Sequence, residues 1–201
     1  GMVSVPGGEF VFAVGGIEIE GFNWAGKNVQ YPWESVPRRH HRQVMDIAPF
    51  HIDRHLVTNA QFKAFIDATG YAPTDTINFL AHWVNGAPRA GWDNKPVVWV
   101  SLEDARAYAA WAGKRLPREW EWQYAAQGND GRTYPWGNDW DAAMVPRTNR
   151  GRRILPADDV GSFPQAASPF GVEELVGHVW QWTDEFADEH TRVAILRGGS
   201  S

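Results

Sequence analysis

Phe170–Trp182 reads FGVEELVGHVWQW, and Leu196–Ser201, shortly after it, reads LRGGSS. Glycine punctuates both stretches, so short extended pieces joined by turns are expected here rather than one periodic element. Two earlier stretches precede them in the chain, LVTNAQFKAFIDATGY (Leu56–Tyr71) and PVVWVSLEDARAYAAWAGKRLPREWEWQYAAQG (Pro96–Gly128).

Those earlier stretches carry the helices. Thr58 with Gln61 three residues later forms a capping-box pattern, Phe62, Phe65, Ile66 and Thr69 share one face, and Gly70 supplies a left-handed stop. A second helix starts after Ser101, with Glu103 and Asp104 at the positive end of its dipole and Gly113 at its close. Ala105, Tyr108, Ala109 and Ala112 form its expected buried stripe. Pro117 sets the entry to a third, shorter helix over Glu119–Gln127.

Around the helices the period changes. Val3–Val14 alternates about a Pro-Gly-Gly turn and predicts an edge strand running into a second strand, while alternation through Ile47, Phe50 and Ile52 predicts one central strand over Val44–Val57. Gly15–Met45 lacks a period and is expected to be loop, its basic run PRRHHR (Pro37–Arg42) a solvated part of it. No internal repeat or second hydrophobic core is read. A single domain over 1–201 is expected.

Composition bounds the function. A chain of 201 residues buries roughly 70% of its unfolded surface, here with 12 Trp, 10 Phe and 5 Tyr as bulky core material. A net charge of −5 offers no field for a polyanion, so nucleic acid is not expected as a partner. No apolar run approaches the ~20 residues of a membrane span, so a soluble protein without a membrane partner is expected. No cysteine is present, which removes disulfides, thiolate metal sites and thiol nucleophiles from these residues. Localisation and oligomeric state are not legible.

Taken together in order and spacing, the four stretches resemble the formylglycine-generating enzyme family, the sulfatase-modifying factors. The resemblance implies a loop-rich α+β fold similar to C-type lectins, with two main helices flanking a small twisted antiparallel sheet. Two positions depart from the family pattern: Arg118 stands where a Thr or Ser cap is usual, and Trp120 where a small residue is usual.

The resemblance also implies a structural calcium held from the Phe170–Trp182 stretch. Carried over, its ligands are the side chains of Glu174 and Gln181 and the backbone carbonyls of Gly177 and Val179. The family's Asn and Glu are replaced by Glu and Gln, which keeps one carboxylate for a hard cation that accepts oxygen donors. Histidine gives no rival pair: on a strand, His51 and His55 stand about 13 Å apart, and His40 and His41 point opposite ways. His178 takes the place of a common Asn and is expected to hydrogen-bond locally.

In function, the resemblance implies O2-dependent oxidation of a cysteine or another sulfur-bearing group on a peptide or small-molecule substrate. Family members use a cysteine pair that binds copper(I), beginning three residues after the serine matched by Ser200. Copper is expected here only if cysteines follow Ser201, and the chain is expected to lack its C-terminal part. Ser200 is the matched catalytic position, and Trp180 is expected to border the substrate groove. The alternative is a non-catalytic, calcium-stabilised lectin-like module that binds peptide or carbohydrate.

Overall fold

Pro6–Gly7 and Ala48–Pro49 interrupt two alternating stretches at the same level, and that coincidence shapes the first third of the molecule. The computed structural model describes residues 1–16, 26–147, 156–188 and 193–199. Strand β1 (Met2–Val5) pairs antiparallel with β4 (Phe50–Asp53), and β2 (Gly8–Gly15) pairs antiparallel with β3 (His40–Ile47). Val5 faces Phe50 and Gly8 faces Ile47, so the two ladders form one ribbon bent where neither proline can donate an N–H. A Cβ on Gly7 would stand 2.7 Å from Ile47 O, which is why the bend takes glycine.

The single strand expected over Val44–Val57 is therefore two strands with different partners. Alternation continued across Pro49 in the sequence, but its missing N–H breaks the ladder. The loop expected over Gly15–Met45 ends early as well, since β3 begins at His40. Within the run expected to be solvated, His41 is buried, with Nδ1 2.9 Å from the Glu34 carboxylate, while His40 faces outward.

The helices follow their local signals. Helix α1 (Asn59–Thr69) has the reciprocal Thr58–Gln61 cap, and Gly70 closes it at φ 64°. Helix α2 (Leu102–Trp111) is capped by Ser101 and Asp104, whose buried carboxylate also accepts from the Tyr71 hydroxyl at 2.7 Å. Helix α3 (Glu119–Gln127) has no side-chain oxygen at its cap. There Glu121 accepts the Arg118 N–H at 2.8 Å, and the Arg118 guanidinium reaches Glu185 at 2.6 Å. Trp120 packs edge-on to Trp33 with ring centroids 5.4 Å apart.

Strands β5 (Gln181–Asp188) and β6 (Val193–Arg197) form a third antiparallel pair. Among the described residues, buried apolar side chains fall into two clusters rather than the one core expected. The first gathers Phe10, Phe12, Tyr31 and Ile47 with the inner face of α3, Val172, Leu175 and Ile195. The second gathers Phe62 and Phe65 of α1, Leu80 and Tyr108 of α2. Arg106 ties α2 to Asp184 of β5, and Lys114, just past the end of α2, pairs with Asp53 of β4.

Beside the second cluster, Asn59 is fully buried and donates its amide N–H groups to Trp92 O and Lys95 O at 3.0 Å. Its Oδ1 therefore accepts, from Trp83 Nε1 at 2.7 Å and from His82 Nε2 at 2.8 Å. His82 thus holds its proton on Nε2, and its buried Nδ1 has no partner among the described residues. Burial, reinforced by the nearby Arg89 charge, lowers its pKa from 6.5 to about 4. Below pH 6.5 the unfolded chain binds a proton that the folded chain refuses, so stability is expected to decline from there and level off below pH 4. Imidazole chemical shifts and urea midpoints between pH 7 and 4 check this; a His82 titration near 6.5 would refute it.

Candidate functional site

The two core clusters leave a cavity of about 440 Å³ between them, walled by Phe62, Val57 and Val97 on one side and Trp122, Val172 and Leu175 on the other. Its rim takes in the segment whose sequence decides the fold. Val179, Trp180, Gln181 and Trp182 all line it, with Trp180 53% exposed. Trp182 is instead anchored, its indole N–H donating to Val100 O at 3.1 Å.

Local hydrogen bonds explain how residues 168–181 reach this place. Ser168 accepts the Val172 N–H through its hydroxyl, and Glu173 N–H donates to Arg54 O at 2.8 Å, pinning the segment beside β4. Glu174 then takes a left-handed φ of 57°, uncommon for a residue with a side chain. That turn sends its carbonyl and its carboxylate to separate partners. The carbonyl accepts from Gln181 Nε2 at 2.8 Å, while the carboxylate accepts the Gly161 N–H at 2.7 Å and the Leu56 N–H at 3.3 Å.

Of the four expected calcium ligands, Gln181 and Glu174 meet by hydrogen bonding, the Gln181 amide donating to the Glu174 carbonyl. Trp122 has only an indole N–H to offer, and it donates to Gln181 Oε1 at 2.8 Å, which fixes the amide with its NH2 toward Glu174 O. Gly198 comes against the same amide: a Cβ there would stand 2.9 Å from Gln181 Nε2 and 3.2 Å from Val179 O. Gly177 N–H donates to Gly198 O at 3.0 Å. Calcium coordinates oxygens, whereas Gln181 meets Glu174 as donor to acceptor, so this arrangement does not fit that ion. Ser200 lies outside the described residues.

His178 is buried, its Nδ1 3.4 Å from Val176 O and its ring edge-on to Phe163, away from the cavity wall. Burial holds its pKa below the ordinary imidazole value despite the carbonyl contact. Arg118 and Trp120, the two departures in α3, also lie off the cavity wall. At the rim, Arg115 makes two 2.7 Å hydrogen bonds to Glu121, and Lys114 is held by Asp53. Burial favours the neutral Glu121 acid, but Arg115 and the Arg118 N–H outweigh it and keep the pKa below the usual carboxylate range. The rim cations are thus each matched by an acid.

Sequence reasoning missed one gathering of ligand-type side chains. His55 Nδ1 lies 3.2 Å from each Glu174 carboxylate oxygen and 3.8 Å from Glu173 Oε2. His55 and Glu173 line the cavity. The adjacent acids Glu173 and Glu174 are the available signal, but they lie 118 and 119 residues from His55, whereas His51 is its neighbour in sequence.

The family model for the sulfatase-modifying factor enzyme 1-like domain matches residues 1–201. The chain is similar to the formylglycine-generating enzyme of Thermomonospora curvata, 35% identical over 94% of this chain and 73% of that protein. It is also similar to the hercynine oxygenase of Mycolicibacterium smegmatis, 32% identical over 90% of this chain and 44% of that protein. The solved structure of PvdO from Pseudomonas aeruginosa shares the fold, with a TM-score of 0.60 and 23% identity, covering 100% of this chain and 77% of that one.

Proposed function

The chain belongs to the sulfatase-modifying factor enzyme 1-like family, and we propose that on this α+β, C-type-lectin-like scaffold it acts as an oxidoreductase using O2 on a cysteine or another sulfur-bearing group. The observation that carries the reading is the cavity of about 440 Å³ with the Trp180 ring half-exposed at its edge. Concave, mostly apolar sites with a few polar groups are where small ligands and peptide side chains bind. Names of two relatives, formylglycine-generating enzyme and hercynine oxygenase, support the choice of oxidative chemistry.

These residues bind and orient. Trp180 offers a flat face for stacking, Val57 and Val97 keep water from the bound group, and the paired rim charges exert little pull on a charged ligand. Copper(I) supplies one-electron O2 chemistry where the family uses it, but it is a soft ion that calls for thiolate. None of the 201 residues is cysteine, so the residues present do not fit copper.

Oxygen uptake by the full-length protein with cysteine-containing peptides, with and without copper, tests the reading. Substrate-dependent uptake is expected. Trp180→Ala is expected to raise KM about tenfold, the loss of roughly 1.4 kcal/mol of ring contact, with Tm unchanged because the ring is already exposed. Absence of uptake with every thiol substrate, alongside retained peptide binding, would replace the oxidoreductase with a binding module.

A further inference from the structure

We propose that His55, Glu173 and Glu174 form a binding site for a divalent first-row transition-metal ion on the cavity wall. Their ligand atoms lie within 4.8 Å of one another, although His55 and Glu174 are 119 residues apart in sequence. Glu174 has a fully buried carboxylate, and Glu173 is 7% exposed. Two acids this deep need a compensating cation.

A proton on His55 cannot fill that role for both acids. The Nδ1–H points to one place and lies 3.2 Å from both Glu174 oxygens, whereas Glu173 Oε2 at 3.8 Å is beyond a hydrogen bond. Glu173 Oε2 is buried and has no hydrogen-bond partner among the described residues. It is the unsatisfied group aimed into the cluster, and an ion between the three side chains would bind it. Two ligand atoms at about 2.1 Å from a tetrahedral ion stand about 3.4 Å apart, and the observed 3.2 and 3.8 Å bracket that spacing.

The donor set selects the class of ion. One imidazole with two carboxylates suits zinc, iron(II) or manganese(II) rather than copper(I), which prefers sulfur, or calcium, which takes oxygen alone. The Gly161 and Leu56 N–H groups that donate to Glu174 fix its orientation from behind. With His55 and Glu173 facing the cavity, the ion has room for a further ligand there. This site uses no copper chemistry and stands whether or not the chain is an oxidoreductase.

Titration of chelator-stripped full-length protein with Co²⁺, read by its visible absorption, and displacement by Zn²⁺, read by calorimetry, test the proposal. One equivalent per chain is expected, with Zn²⁺ displacing Co²⁺. Glu173→Gln, which keeps the shape, is expected to weaken Zn²⁺ binding tenfold or more and to leave the metal-free Tm equal or higher. A structural ion pair would instead lose stability in that variant. His55→Ala is expected to abolish the Co²⁺ spectrum. Binding below one equivalent, or binding unchanged in Glu173→Gln, overturns the proposal and assigns any bound ion to surface histidines such as His40 and His51.

Discussion

Glu119→Ala is expected to cost about 3–5 kcal/mol of folding stability, the penalty typical of removing one partner from a buried ion pair. Glu119 is fully buried at the first turn of α3. One carboxylate oxygen accepts the Tyr31 hydroxyl at 2.5 Å, and the other accepts the Arg197 guanidinium. The side chain thus ties three distant segments: the loop before β3, helix α3 and strand β6. Burial, and then the Glu119 charge, push the Tyr31 hydroxyl well above the ordinary phenol range, so it stays a donor at any physiological pH. Truncation leaves the partly buried Arg197 charge without its carboxylate and the buried Tyr31 hydroxyl without its acceptor, and Arg197 Nε already has no hydrogen-bond partner among the described residues. Tyr31→Phe removes only one hydrogen bond to a charged group, about 1.5–3 kcal/mol, and keeps the ring stacked on Trp33 at 5.0 Å. Urea denaturation of both variants checks the ranking; a Glu119→Ala loss below about 1 kcal/mol would mean that solvent at the partly exposed Arg197 replaces the carboxylate.

That network was invisible in the sequence because it joins residues 88 and 78 positions apart. The helices were legible for the opposite reason. Thr58 with Gln61, Ser101 with Asp104, and Gly70 each satisfy backbone groups within four residues, so local order carries the full signal. Strand content was legible through alternation, but partner choice was not. Pro49 leaves the alternating pattern intact while ending the ladder with β2, and only the bent ribbon shows that β4 belongs to β1.

For the site, the motif, which in the structure carries the Gln181–Glu174 hydrogen bond and sets Trp180 at the cavity edge, suggested Glu174, Gly177, Val179 and Gln181 as one ligand set. What it did not contain was the φ of 57° at Glu174. That one dihedral turns the carboxylate away from Gln181 and toward Gly161 and His55, so a ligand set transferred by position becomes a hydrogen-bonded one. Trp122 completes the change, since its donor-only indole decides which end of the Gln181 amide faces the Glu174 carbonyl. The resemblance fixes where a residue sits in the chain; backbone geometry and neighbours decide what its atoms can hold.

Phe62→Ala is the second large effect expected, about 3–5 kcal/mol from lost burial and the void left behind. The ring is 1% exposed, stacks on Tyr108 at 5.6 Å and meets Phe65 edge-on at 5.4 Å, making it the joint between α1 and α2. It is also a wall of the cavity, so truncation opens the second cluster into the binding space. Both stability and ligand binding should therefore fall together, whereas Trp180→Ala should weaken binding alone. Thermal melts followed by near-UV circular dichroism and by tryptophan fluorescence add a further test. Coincident transitions in Phe62→Ala mean that the two clusters unfold as one unit, joined by Arg106–Asp184 and Lys114–Asp53. Separate transitions, or a loss below about 1 kcal/mol, would show that the α1–α2 cluster is only loosely coupled to the ribbon and α3. The cavity between them would then be a seam able to open rather than a preformed site.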